Sequence, residues 1–144
     1  MPALSVIHLV GPRLVLLPDF HGFAATVSVA IRMLDNVLDV TAWPLAQQQA
    51  EAMAKRRIGL GFTGLGDALI ELGLRYDSDE GRAMASRIAE EMRDAAYLSS
   101  VEIAKDKGSF PLLDRNAYLA PPRFASRLPD EIKQAIHKHG IRNS

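Results

Sequence analysis

The sequence predicts a mainly α-helical fold with one to three short strands. Apolar residues recur at helical spacing over most of the 144 residues. Capping residues and glycines bracket these stretches. The strand-like segments are short, and they do not alternate with helices as they would in a complete parallel sheet. A single helical domain is therefore expected.

The composition is that of an ordinary soluble domain, with 48% hydrophobic and 24% charged residues. Seventeen basic and seventeen acidic side chains cancel, so the chain has no basic field to attract nucleic acid or an anionic membrane. The apolar N-terminal run is interrupted by prolines and has no basic residues before it, unlike a signal peptide or a membrane span. We therefore predict a cytoplasmic protein that binds neither nucleic acid nor a membrane.

The first half of the chain predicts two strands and two helices. Residues 4–17 contain two β-prone pieces, SVIHLV and RLVLL, on either side of a Gly-Pro pair. A helix is expected from about Phe23 to Val40, and a second opens at Pro44 and covers LAQQQAEAMAKRR. Ile58 to Phe62 then reads either as a short buried strand or as an extended segment.

The second half predicts three helices. A short one covers residues 65–72, and the longest runs from about Asp79 to Lys107, opened by a capping box of Asp77 and Glu80. Residues 109–129 contain four prolines without helical periodicity, which predicts an extended ordered loop. The last helix starts near Pro129 and ends with basic residues.

Residues 59–64 spell G-x-G-x-x-G, a pattern found in dinucleotide-binding loops. Such a loop needs a strand before the first glycine, a helix at the last, and an acidic residue about 20 positions on. A helix follows Gly64, but Gly59 follows a helix end, and Asp77 and Asp79 lie in a turn. A packing role for the glycines is therefore favoured over nucleotide binding.

Other polar groups give no catalytic or metal site. His137 and His139 are two positions apart on a helix, so they lie on different faces. Glu90, Glu91 and Asp94 are interpreted as a solvated helix face, because arginines lie within one turn.

A third polar group lies on a strongly apolar helix and consists of Asp35, Asn36 and Asp39. At least one of them is expected to be buried and paired with an arginine as a structural bridge.

Cysteine does not occur in the sequence, which excludes disulfides, thiolate metal sites and thiol nucleophiles within this chain.

Four segments in consistent order carry a resemblance to a known family: RMLDNVLDVTAWPL, KRRIGLGFTGLGDALIELGLRYDS, the long helix, and the terminal HGIRNS. They resemble the large catalytic subunit of ribonucleotide reductases, most of all the adenosylcobalamin-dependent (class II) type. The likeness covers about residues 24–144, and DNVLD together with RRIGLG makes it specific.

The resemblance implies that the fold is a fragment of a ten-stranded α/β barrel. It divides the chain into a poorly matched N-terminal part, residues 1–22, and a partial catalytic barrel domain, residues 23–144. In the family, a cysteine thiyl radical abstracts a sugar hydrogen, a glutamate and an asparagine assist, and two further cysteines supply electrons. The loop bearing the radical cysteine would lie upstream, and a Ser/Thr-rich phosphate-binding turn would follow Ser144. No position here matches a catalytic, cofactor-binding, substrate-binding or metal-binding residue of the family.

The predicted function is that of a segment of a ribonucleoside reductase, an oxidoreductase that makes deoxyribonucleotides for DNA replication. The cysteine-free chain is expected to be inactive alone and to need no cofactor alone, whereas the family implies adenosylcobalamin. Its expected partner is the remainder of the reductase, or a second copy held through exposed apolar helix faces. Two alternatives stay open: a stand-alone helical protein-interaction module, and a split enzyme completed by separate chains.

Overall fold

We describe a computed structural model of the chain, which defines the backbone of residues 5–10 and 13–144 and the side chains from residue 18 onward. The described residues form two strands, six α-helices and one short 3-10 helix (Phe124–Arg127). The strands are β1 (Ser5–Val10) and β2 (Arg13–Pro18). The helices are α1 (Phe20–Val40), α2 (Ala46–Lys55), α3 (Leu65–Glu71), α4 (Asp79–Lys107), α5 (Arg115–Leu119) and α6 (Asp130–His139).

The helix α1 begins three residues before its predicted start because Asp19 caps it. The Asp19 carboxylate accepts a hydrogen bond from the backbone N–H of Gly22 at 2.9 Å. One stripe of α1 packs against α4, and it contains the buried residues Phe23, Val27 and Ile31. The helix ends at Val40, as the spacing of its apolar residues predicts.

The long helix α4 has the predicted bounds but a different cap. The N-cap is Ser78, whose Oγ accepts the backbone N–H of Gly81 at 3.0 Å. Asp77 pairs instead with Arg75 at 3.1 Å, so the predicted capping box of Asp77 and Glu80 is wrong. Ser78 directly follows Asp77, and it is the Ser78 side chain that reaches the Gly81 amide.

Two apolar cores lie on different faces of α4. One joins α4 to α1 and to Ile58 and Phe62, and its buried residues include Phe23, Val27, Ile31, Ile88 and Met92. The other joins α4 to α6 and to the chain end, through Val101, Phe110, Leu128, Ile132, Ile136 and Ile141. The helix α4 thus packs against α1, α3 and α6, whereas α2 contacts α1 and α5 contacts α6.

Residues 109–129 are more regular than the predicted extended loop. Asp114 caps α5, its carboxylate accepting the backbone N–H of Ala117 at 3.0 Å, and the 3-10 helix follows. The loop prediction is wrong here because one capping aspartate is enough to start a turn of helix between prolines.

The predicted fold class is also wrong, because the described residues form no barrel and no parallel sheet. The strands β1 and β2 lie where the two β-prone pieces stand, but they form only an antiparallel hairpin in which Ser5 faces Pro18. Ile58 to Phe62 has no strand partner among residues 5–10 and 13–144, and a strand exists only when its backbone groups are paired. No helix in the described part of the chain is long and apolar enough to cross a membrane.

Candidate functional site

A fully buried aspartate on α1, Asp35, lies at the centre of the most highly connected polar group of the described chain. Its Oδ1 accepts hydrogen bonds from Nε and Nη2 of Arg56, at 2.9 and 2.6 Å. The same oxygen accepts from Nδ2 of Asn143 at 2.9 Å and from Nε of Arg142 at 3.2 Å. Oδ2 accepts from Nζ of Lys107 at 3.1 Å. We call these residues, together with Asp39, the Asp35 cluster.

Arg56 is held in the Asp35 cluster by its backbone as well as its side chain. It is the C-cap of α2 and has left-handed dihedrals of φ 46° and ψ 47°. This conformation costs a non-glycine residue about 1 kcal/mol. Its Nη1 pairs with Oδ1 of Asp39 at 2.8 Å, and its Nη2 also donates to the backbone carbonyl of Asp35 at 3.0 Å. The ion pairs therefore offset a strained backbone, and they fix where α2 ends.

The charges of the cluster keep Asp35 ionised. Burial would raise the pKa of Asp35, but the hydrogen bonds from Arg56, Asn143 and Lys107 outweigh burial and lower the pKa to about 2. The pKa of Asp39 is lowered for the same reasons, with Arg56 and Lys107 as its donors. Both carboxylates are therefore charged at neutral pH.

The last residues of the chain lock this cluster to α4. Ser100 donates its Oγ–H to Oδ1 of Asn143 at 3.1 Å and accepts the backbone N–H of Asn143 at 2.9 Å. The backbone N–H of Arg142 donates to the carbonyl of Ser100 at 3.1 Å. The cluster thus joins α1, the end of α2, α4 and residues 142–143 at one buried point.

The arrangement favours a structural role over acid–base chemistry. Oδ1 of Asp35 already accepts four hydrogen bonds, and arginine does not release a proton in proteins. The prediction that one of Asp35, Asn36 and Asp39 is buried and pairs with an arginine is confirmed. Sequence reasoning missed Lys107, Arg142 and Asn143, because only the fold brings residues 107 and 142–143 next to 35.

The other predicted groups lie apart from the Asp35 cluster. His137 and His139 are in the last turn of α6. Glu90 is exposed on α4, and Asp94 pairs with Arg93 at 2.6 Å. Among residues 18–144, no three histidine or acidic side chains are grouped closely enough to hold a metal ion.

The residues that follow Arg56 include the glycines of the G-x-G-x-x-G pattern. Unlike the Asp35 cluster, this stretch has few hydrogen bonds. Gly64 has φ +80° and caps α3, so a helix follows the last glycine of the pattern as the sequence predicts. No strand precedes it in the described residues. Residues 57–63, which we call the open edge, form no backbone hydrogen bond to any other described residue.

Two cavities flank the open edge. One of about 330 Å³ is mostly apolar and lies between the edge, α4 and the chain end, lined in part by Ile58, Leu60, Met92, Asn143 and Ser144. The other, of about 440 Å³, lies between the edge, α1 and α3. Tyr118 borders the first cavity, and burial raises the pKa of its hydroxyl.

Comparisons with known proteins agree on one family. Residues 12–144 match the family model described as "Ribonucleotide reductase, barrel domain". A vitamin B12-dependent ribonucleoside-diphosphate reductase of Mycobacterium tuberculosis is 38% identical over 93 residues, which is 65% of this chain and 13% of that protein. A ribonucleoside-diphosphate reductase subunit alpha of Treponema pallidum is 33% identical over 132 residues, 88% of this chain and 16% of that protein. The chain therefore spans less than a fifth of the length of these relatives.

Proposed function

This chain belongs to the ribonucleotide reductase barrel-domain family, and we propose that it acts as a scaffold segment within a large catalytic subunit that reduces ribonucleotides to deoxyribonucleotides. The observation that carries the proposal is the match of residues 12–144 to the barrel domain. The Asp35 cluster supports a scaffold role, since its buried polar atoms are engaged with one another.

We propose further that the parent enzyme is of the vitamin B12-dependent type, as the relative from Mycobacterium tuberculosis is named. The cofactor would supply the radical that starts the reduction. The residues described here do not fit cobalamin itself: the cavities beside the open edge, of about 330 and 440 Å³, suit a drug-sized molecule, and a corrinoid is much larger. We therefore assign no cofactor contact to this segment.

Alone, the chain is proposed to be inactive. Radical reduction in this family needs a thiol, and the sequence contains no cysteine. The remainder of the reductase is the proposed partner, either in one polypeptide or as separate chains.

A chimera tests the proposed function. The matching segment of the Mycobacterium tuberculosis relative is replaced by residues 24–144 of this chain, and conversion of ribonucleotide to deoxyribonucleotide is measured with adenosylcobalamin and a dithiol. We expect activity in the chimera and none from the 144-residue chain alone. A chimera that folds, as judged by circular dichroism and a cooperative unfolding transition, but makes no product would contradict the proposal.

One observation favours a second candidate, a helical protein-interaction module. The face of α1 opposite its buried stripe exposes four apolar side chains: Val29, Met33, Val37 and Val40. Such a stripe commonly binds another protein or a second copy. Light scattering of the chain, compared with a Met33→Glu/Val37→Glu variant, tests it: we expect an oligomer that the variant abolishes. A monomer at all concentrations would count against self-association through this face.

A further inference from the structure

Basic side chains from three helices meet where α4 and α6 end. Arg115 of α5 donates from Nη1 to the backbone carbonyls of His137 and Lys138, at 2.9 and 3.3 Å. The carbonyl of Ile136 accepts the backbone N–H of Gly140 at 2.7 Å. The last carbonyls of α6 therefore have donors already, and the ammonium group of Lys138 is not needed to cap the helix.

The chain at Gly140 brings two hydrogen-bond donors to one point. The backbone N–H of Phe110 donates to the carbonyl of Ile141 at 3.1 Å, which holds Ser109 beside Gly140. A Cβ on Gly140 would stand 1.8 Å from Oγ of Ser109 and 3.5 Å from Nη2 of Arg115, so these two groups converge. Within the described chain, Arg115 forms its hydrogen bonds through Nη1, and the Ser109 hydroxyl forms none. Both groups are therefore available to a ligand.

Positive charge is in excess around this point. Burial, Lys105 and Lys138 lower the pKa of His139, and Arg115 lowers it further, whereas Glu102 raises it. Lys105 is paired with Glu102 at 2.6 Å, so these two charges offset each other. Arg115 and Lys138 have no ion pair with a carboxylate in the described part of the chain. Two positive charges thus face His139 without compensation, which favours binding of an anion.

We propose that Ser109, Arg115, Lys138 and His139 form a binding site for the phosphate group of a small ligand, which we call the phosphate site. The planar guanidinium of Arg115 pairs with two phosphate oxygens, and a hydroxyl and an ammonium group reach the others. Inorganic phosphate and a phosphate monoester present the same terminal oxygens, so the donors fit both. The inference goes beyond the scaffold role and does not depend on it.

An NMR titration of the 144-residue chain tests the phosphate site. Sodium phosphate is compared with sodium chloride at equal ionic strength, and the signals of Ser109, Lys138 and His139 are followed. We expect saturable changes with half-saturation at about 1 mM phosphate. The bound anion offsets the neighbouring cations, so the titration midpoint of His139 is expected to rise by about 0.5 pH.

Methyl phosphate in a parallel titration separates the two sources of the group. Saturation by both compounds would indicate a site for a phosphorylated ligand, whereas saturation by inorganic phosphate alone would indicate a site for the free ion. Either result supports the proposal, since both require a phosphate to bind at these donors.

Charge-removing variants locate the site. Arg115→Gln and Lys138→Gln are each expected to weaken phosphate binding about fivefold or more. The control Lys133→Gln removes a positive charge from the same helix, where Lys133 pairs with Asp130 at 2.7 Å, and is expected to change binding by less than about twofold. Arg115→Gln also removes donors to the end of α6, so Lys138→Gln and Ser109→Ala carry the test if that variant does not fold.

Three results would overturn the proposal. One is a response that is linear in phosphate concentration, and another is an equal response to chloride. The third is undiminished binding in both Lys138→Gln and Ser109→Ala. None of these readouts involves reductase activity, so failure here is distinct from failure of the chimera.

Discussion

The Asp35 cluster and the open edge meet at Arg56, but they differ in their hydrogen bonding. The polar side chains of the cluster bond to one another, whereas the backbone groups of the edge have no backbone partner within the described chain. In the cluster, a single carboxylate oxygen accepts four hydrogen bonds from three side chains. In the open edge, seven successive residues form no backbone hydrogen bond within the described chain. The difference indicates that side-chain contacts hold the described helices together, whereas the backbone of residues 57–63 is unpaired within the described chain.

The largest expected effect is the loss of the cluster's central charge. Asp35→Ala leaves Arg56, Arg142 and Lys107 facing one another around a buried hole, and we expect a loss of about 3–5 kcal/mol in the free energy of unfolding. Urea unfolding measures it. The control Glu102→Ala removes an exposed ion pair with Lys105 and is expected to change stability by less than about 1 kcal/mol. Equal effects of the two substitutions would remove the distinction between the cluster and an ordinary surface pair.

Asn143→Ala is expected to cost less, about 1–3 kcal/mol, because it removes one donor to Asp35 and the acceptor used by Ser100 while the arginines stay in place. The same unfolding experiment measures it. Ser100→Ala serves as the companion variant, since it removes the other side of the contact. If Asn143→Ala is as stable as the parent chain, residues 142–143 do not hold the cluster in solution.

The pH dependence of stability isolates the carboxylate itself. The pKa of Asp35 is about 2 in the folded chain and near 3.8 when unfolded, so its contribution is present above pH 4 and is lost as the pH falls toward 2. The shift corresponds to roughly 2 kcal/mol. Urea unfolding from pH 5.5 to pH 2 measures the loss. A variant with Asp35→Asn lacks the titrating group and is expected to show a shallower decline; parallel curves would place the pH dependence elsewhere.

Two glycine substitutions have the smallest expected effects, and they test the open edge. A methyl group on Gly61 meets open space and the backbone is not left-handed, so Gly61→Ala is expected to be neutral or to stabilise by up to about 1 kcal/mol. Gly64 has φ +80°, so Gly64→Ala is expected to destabilise by about 1 kcal/mol. Urea midpoints measure both. A large destabilisation by Gly61→Ala would show that the edge is already packed.

Local signals in the sequence predicted five of the six described helices to within about three residues, and they missed the short helix α5. The apolar stripes of α1 and α4 and the glycine at residue 108 are short-range features that are visible in the sequence. The burial of Asp35 was also foreseeable, since acids on an apolar helix need a cationic partner. Its partners at residues 107 and 142–143 were not, because separations of 72 to 108 residues are bridged only by the tertiary fold. The barrel was expected from family resemblance, but a barrel needs strand partners that these described residues do not supply.

Amide hydrogen exchange of the unmodified chain tests the contrast between the two regions most directly. We expect the amides of Ile58, Leu60 and Phe62 to exchange near the rates of an unstructured peptide, and those of Arg142, Asn143 and Phe110, which donate to Ser100 and Ile141, to exchange only on global unfolding. Strong protection of the open edge in a monomeric sample would contradict the account. It would mean that residues 57–63 already have a backbone partner within the chain.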